Sequence, residues 1–202
     1  MGTHTSAAAR EEVNPKATAR REAQRHQAKL HPDWVRRASL VIRDHVLARP
    51  AWTAARAVAA YVAQLREAQT AALIEAAYAA GKRVCVPAWR ADQQGYAFAW
   101  LTQEATLKPG RMGILEPTHP DWVNPAELDL VLVPVVAFDA YGRRLGHGGG
   151  HFDRLLSRCP AVKIGLAFEA QRLAAVPVEA HDVGLDLVVT ETGVHGPQAG
   201  RA

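Results

Sequence analysis

The sequence predicts an α/β fold, and three observations carry that prediction. "RAVAAYVA" (56–63) reads as a buried strand, "AQTAALIEAAYAAGK" (68–82) as a helix with a Gly81 stop, and "RVCVP" (83–87) as the next strand. That strand–helix–strand spacing calls for parallel strands joined by a right-handed crossover. Three more apolar runs, "LDLVLVPVVAF" (128–138), "VKIGLAF" (162–168) and "LDLVVT" (185–190), are short enough for central strands. The chain of 202 residues, 49% hydrophobic, suits a single domain with one sizeable core.

The elements follow in order. Residues 1–15 are small and polar, end at Asn14-Pro15, and are expected to be a disordered lead-in. From Lys16 to about Leu30 the composition is helical. Pro32-Asp33 then opens a second helix, with Trp34, Ala38, Val41, Ile42 and Val46 at helical spacing, and Pro50 closes it. "GYAFAWL" (95–101) alternates around Phe98 and Trp100 as a further strand, and "FDRLLSRC" (152–159) is a short helix between two apolar strands. The domain is expected to run from 16 to 193, with 194–202 a loose tail.

Composition narrows the function classes. No apolar run approaches the ~18 residues that a membrane helix needs, and the N-terminus lacks the charged and apolar regions of a signal peptide, so a cytoplasmic protein is expected. Cys85 and Cys159 form no CxxC pair, which points to buried thiols. The net charge is +4, but Lys16 to Arg37 alone carries +5. A basic helix of this kind binds an acidic ligand or nucleic acid, or is simply solvated; without aromatic interleaving or a reader motif, nucleic acid is not the expected partner.

The chemistry concentrates in "FDAYGRRLGHGGGHFDRLL" (138–156). Gly146, Gly148, Gly149 and Gly150 fall within five residues, between a strand and a helix. Glycines let backbone N–H groups converge on an anion, and a helix starting just afterwards adds unpaired donors. Arg144 can clamp a polyphosphate, and Asp153 offers the hard oxygen that Mg²⁺ prefers. No Gly-Lys-Ser/Thr follows, so this is not a Walker A loop, and it stands too late in the chain for a dinucleotide fingerprint. An unoccupied tight turn is the plain alternative. His147 and His151 are four apart, but three intervening glycines make the helix that would align them for zinc improbable.

This stretch resembles the signature of the 5-formyltetrahydrofolate cyclo-ligase family, also called 5,10-methenyltetrahydrofolate synthetase. "KATAR" (16–20), "REAQTAALIEAAYAAGKRVCVP" (66–87), "GRMGILEP" (110–117), and "IGLAFEAQ" with "VPVEAHDVGLDLVVTE" (164–191) resemble other family segments in the same order. The resemblance implies a three-layer α/β/α sandwich with a mostly parallel central sheet. It implies ATP- and Mg²⁺-dependent closure of 5-formyltetrahydrofolate to 5,10-methenyltetrahydrofolate, with release of ADP and phosphate.

Residue by residue, it implies that Lys16 and Arg20 reach the ATP phosphates and that Arg144, Leu145, Gly146, His147, Gly148, Gly149, Gly150, His151 and Phe152 wrap the nucleotide. Asp153 and Asp182 would serve the metal; as plain alternative, Asp182 is a turn aspartate. Val62 and Glu67 would meet the folate together with His147, the three glycines and His151, though Glu67 also fits a capping role before the following helix. Arg144 and His151 are the catalytic candidates. Where the family has two tyrosines, this chain has His151 and Phe152; an imidazole retains a hydrogen-bond donor and near pH 6.5 carries charge. Trp89 and Trp100 could face a pterin, although strand aromatics usually pack. A monomer acting on a small folate, with or without a polyglutamate tail, is expected. The alternatives are a paralogue acting on another small substrate and a nucleic-acid-binding module built on the basic helix.

Overall fold

The structure is a computed structural model that describes residues 14–197. Most of the expected lead-in, and the last five residues of the expected tail, lie outside the described residues. Asn14 and Pro15 do not belong to a lead-in. The Asn14 side chain accepts from the Ala17 amide, and Pro15 takes the first turn of helix α1 (Pro15–Gln27), where its missing N–H costs nothing.

Helix α2 (Pro32–Leu47) follows with its apolar face inward at Val35, Ala38, Ile42 and Val46. Pro50 does more than close it, because it opens the short α3 (Pro50–Ala54), which buries Trp52. The expected strand–helix–strand unit is β1 (Ala57–Ala59), α4 (Ala71–Ala79) and β2 (Arg83–Arg90), and the two strands pair in parallel. β3 (Gly95–Leu101) returns antiparallel to β2 and carries the small edge strand β6 (Asp121–Trp122), while β4 (Leu107–Pro109) and β5 (Leu115–Pro117) form a separate hairpin.

β7 (Leu130–Pro134) is shorter than its apolar run. The chain leaves the sheet at Val135 and Val136 and forms a two-stranded ribbon from β8 (Ala137–Phe138) and β9 (Arg144–Leu145). Buried Gln171 makes the exit possible, since its Nε2 donates to the Val135 and Val136 carbonyls at 2.6 and 3.1 Å, groups that would otherwise be unpaired in the core. Helix α5 (His151–Leu156), β10 (Val162–Leu166) and β11 (Leu187–Thr190) complete the scaffold. The expected tail begins instead with β12 (Gly193–His195), folded back antiparallel on β11 with Val194 against the core. Pairing with β11 satisfies backbone groups that a free tail would leave to water.

One eight-stranded sheet runs β12-β11-β10-β7-β1-β2-β3-β6, with β11, β10, β7, β1 and β2 parallel and the antiparallel strands confined to its flanks. Side chains alternate between its faces as the period of two requires. Val58, Val84, Leu130, Leu132 and Ile164 point to the layer of α2, α3 and α4. Ala57, Cys85, Val131, Val133 and Val188 point to the other layer, where α5 supplies Leu155 and Leu156. The three layers are therefore unequal, with one short helix and its loops covering the second face. Both cysteines are buried there, and burial pushes the Cys85 thiol far above its ordinary range.

Gly165 sits mid-sheet in β10, where an added Cβ would lie 2.5 Å from Leu185 Cδ1 and 2.9 Å from Val135 Cγ2. Gly165→Ala is expected to lower stability by about 1–3 kcal/mol through overpacking, read as a lower urea midpoint with unchanged slope. A midpoint equal to wild type would mean that this face of the sheet is loosely packed. Among the described residues no helix is long and apolar enough to cross a membrane.

Candidate active site

The glycine loop lies between β9 and α5, at the end of the sheet where β7 terminates. There it lines a cavity of about 490 Å³, a size that suits a small-molecule site. Every site residue expected from the sequence, from Lys16 and Arg20 through Val62 and Glu67 to the loop, Asp153 and Asp182, borders this one space. They come from four separate parts of the chain.

α1 delivers the first two cations. It buries only Lys16 and two alanines, Ala19 and Ala23, so polar contacts at its ends fix it. Lys16 Nζ donates to Asp182 Oδ2 at 2.6 Å and lies 3.2 Å from Glu179 Oε2. Burial by itself would pull the ammonium pKa down, but the hydrogen bonds to Asp182 and Glu179 outweigh it and the net shift is upward. Asp182 moves the opposite way: burial raises its pKa, yet the Lys16 hydrogen bond and the Glu179 amide leave it lowered. Arg20 Nε donates to the Gly146 carbonyl at 2.8 Å. Its guanidinium lies across Gly148, whose φ of +102° places that residue in backbone space that side chains avoid.

Arg144 departs from its expected part as a free phosphate clamp. Its side chain is 3% exposed, and Nη2 lies 2.9 Å from Asp153 Oδ1 while Nη1 donates to the Val183 carbonyl at 2.5 Å. Nε is buried with no hydrogen-bond partner among the described residues. The guanidinium is thus turned inward by a carboxylate and a carbonyl, and it fixes Asp153 at the cavity wall. Asp153 Oδ1 also accepts from the Val183 amide at 3.1 Å, so Oδ2 is the oxygen left for a ligand. Asp182 is used in the same way, with Oδ2 accepting from both Lys16 and the Glu179 amide and Oδ1 lying 3.8 Å from His181 Nε2.

α5 has six residues, so the cradle depends on the loop and its cations more than on a helix terminus. His151, its first residue, accepts a hydrogen bond at Nδ1 from Arg154 Nη2 at 2.8 Å. Burial first, then the neighbouring Arg154 and Arg111, hold its pKa below the ordinary imidazole value. The same neighbours work against the charge that the sequence allows this ring near pH 6.5. Tyr96 meets the His151 ring edge-on at 5.1 Å and lines the cavity. Of the two tryptophans, Trp89 stands behind Tyr96 at 5.4 Å and Trp100 lies under Arg83; neither lines the cavity.

Across the cavity, Glu67 sits in the β1–α4 loop. The N-cap of α4 is Thr70, not Glu67. Glu67 Oε2 accepts from the Gln64 amide at 2.8 Å, closing a local turn, and Oε1 lies 3.3 Å from His147 Nε2. The hydrogen bond to Glu67 raises the His147 pKa more than burial lowers it. Because the folded value is raised, the pair's contribution is complete below the unfolded value near 6.5 and fades as pH rises through the folded one. Glu67→Gln is expected to return the His147 pKa toward 6.5, followed by NMR titration; an unmoved pKa would mean the two side chains do not meet in solution.

Sequence reasoning missed Glu179 and Tyr96, both cavity-lining, and the Arg154 contact with His151. A signal existed only for Arg154, which stands on the helix expected over 152–159; that His151 opens this helix, three residues earlier, is a finding of the structure. The other two reach the cavity by long-range folding.

Comparison with known proteins bears on this arrangement. Residues 12–191 match the 5-formyltetrahydrofolate cyclo-ligase family. The chain belongs to that family. Its similarity to the 5-formyltetrahydrofolate cyclo-ligase of Escherichia coli strain K12 is 33% identity over 177 residues, covering 85% of this chain and 97% of that one. The solved structure of Aquifex aeolicus 5,10-methenyltetrahydrofolate synthetase superposes with a TM-score of 0.82 at 30% identity, covering 94% of this chain and 96% of that one. The Mycoplasma pneumoniae 5,10-methenyltetrahydrofolate synthetase shares the fold, with a TM-score of 0.70 at 21% identity over 88% of this chain and 99% of that one. The family match thus covers every strand of the sheet except β12, and all the residues that border the cavity.

Proposed function

We propose that the chain is a 5-formyltetrahydrofolate cyclo-ligase that uses ATP and Mg²⁺ to form 5,10-methenyltetrahydrofolate, ADP and phosphate. The observation that carries the reading is the convergence of every residue expected from the family resemblance on one cavity, in a chain that matches the family over residues 12–191. In this reading the formyl oxygen attacks the γ-phosphorus and ADP departs. N10 then attacks the activated formyl carbon, loses its proton, and phosphate leaves with the former formyl oxygen. Transfer of this kind asks a protein for positioning and charge neutralisation more than for covalent chemistry.

Lys16 and Arg20 flank the loop and would meet the phosphates, Lys16 by leaving its carboxylates for a stronger anion. Asp153 Oδ2 fits a magnesium ion that arrives with the nucleotide; a single protein carboxylate beside substrate phosphates is a common Mg²⁺ arrangement. When bound, that ion neutralises phosphate charge. Asp182 positions Lys16 through Oδ2, and its Oδ1 would be the second acidic oxygen near the metal. Glu67 and His147 would meet the folate, Val62 and Tyr96 its apolar and aromatic surface. The reading takes the enzyme as a cytoplasmic monomer.

The test is a spectrophotometric assay with 5-formyltetrahydrofolate, ATP and Mg²⁺, following the near-ultraviolet absorbance of the methenyl product. ATP-dependent growth of that band is expected. Folded protein that binds ATP yet accumulates no product would make the chain a paralogue acting on another substrate.

A further inference from the structure

The cavity is bordered by the His151 imidazole, whose two ring nitrogens can serve as one N–H donor and one bare acceptor. Which of the two faces the ligand decides whether His151 donates or accepts. The neighbour at 2.8 Å from Nδ1 is a nitrogen of Arg154, and a guanidinium has donors only. Nδ1 must therefore be the acceptor and the proton must reside on Nε2.

One further contact keeps Arg154 in place: its Nη2 also donates to the Gly149 carbonyl at 3.0 Å. Gly150 leaves room for it, since a Cβ there would lie 3.2 Å from Nη1. The ring itself is held on its other sides. Tyr96 and Trp89 meet it edge-on, at 5.1 and 6.4 Å between centroids. Gly149 leaves the room it occupies, since a Cβ there would lie 2.7 Å from His151 Cδ2 and 2.8 Å from Nε2. Nε2 has no hydrogen-bond partner among the described residues, and His151 borders the cavity.

We propose that Arg154 is a positioning residue for the reaction: by donating to Nδ1 it fixes the orientation and tautomer of His151, so that Nε2–H is the donor offered to the oxygen passing between formyl and phosphoryl groups. The inference rests on the reaction proposed above. Arg154 is not among the residues that border the cavity; it sets the ring as a second hydrogen bond sets a catalytic imidazole elsewhere. A donor aimed at an oxygen that gains charge contributes in the transition state more than in the ground state, so its loss falls on kcat and leaves KM largely in place.

The experiment is a double-mutant cycle read alongside nitrogen-15 shifts of the imidazole. Arg154→Leu is expected to lower kcat about tenfold with both KM values within about a factor of two, His151→Phe by about a hundredfold, and the double variant no further than His151→Phe alone. In the free protein, Arg154→Leu is expected to move the His151 Nδ1 resonance toward that of a freely exchanging imidazole. Arg154→Lys, whose ammonium is also donor-only, is expected to restore part of both. The proposal is overturned if Arg154→Leu costs the same factor with His151 or Phe at position 151, because the arginine then acts on phosphate directly or on the fold. It is equally overturned if the Nδ1 resonance does not move. Absence of methenyl product from the wild-type protein would instead refute the reaction, and the resonance shift, which needs no substrate, separates the two failures.

Discussion

Arg144→Ala is expected to abolish most activity, by at least about a hundredfold, and to lower stability by about 2–4 kcal/mol at the same time. The two effects share one cause. The guanidinium is buried between Asp153 Oδ1 and the Val183 carbonyl, so truncation leaves a carboxylate with a single backbone donor and a buried carbonyl with none. Unpaired buried groups cost more than the net value of the bonds they lose. It also frees Asp153 to rotate away from the cavity. For a chain of this size such a loss corresponds to a fall in melting temperature of roughly 5–15 °C. A surface phosphate clamp would behave differently, losing ATP affinity with an unchanged melting temperature. Calorimetry with ATP titration on the same variant distinguishes the two. Arg144→Lys is expected to recover little, because one ammonium cannot bond the carboxylate and the carbonyl in the geometry of the fork.

Asp153→Asn is the complementary substitution: it has a large effect on chemistry, and because it leaves the buried Arg144 guanidinium without its carboxylate it also lowers stability, by about 1–3 kcal/mol. The side-chain oxygen of asparagine can still accept from the Val183 amide, which preserves the β9–α5 wall. The oxygen proposed for magnesium becomes an NH₂ group, which repels a cation. A loss of activity of about a hundredfold or more is expected, together with a higher Mg²⁺ requirement for whatever remains. Circular dichroism and a melt verify the fold, and a Mg²⁺ titration of the rate reads the chemistry. A wild-type Mg²⁺ dependence in this variant would remove Asp153 from the metal reading and shift attention to Asp182.

Much of the scaffold was legible in the chain because its parallel strands are buried on both faces and therefore appear as uninterrupted apolar runs. The limits of legibility lie where long-range partners decide. Nothing in "LDLVLVPVVAF" marks a break after Pro134 except the proline, since the break depends on Gln171, 35 and 36 residues away, donating to two carbonyls. The tail from residue 194 looked loose because its glycines and polar residues have no local partner, and only β11 gives Gly193–His195 a place in the sheet. The site shows the same division. The glycine loop, Asp153 and the cations of α1 carry their chemistry in residue type and spacing. Local composition gave no hint that Glu179 would share Lys16 with Asp182, or that Glu67 would face His147 across the cavity.

By itself the sequence determined the α/β class, the family and the set of residues gathered at the cavity, because apolar patterning and motif spacing are local properties of a chain. The tertiary structure alone decided what those residues do once gathered. It turned Arg144 inward to hold Asp153, set Arg154 against Nδ1 of His151, and held Lys16 on two carboxylates. Direction, burial and protonation depend on neighbours that arrive from elsewhere in the chain, and a residue's identity records none of them.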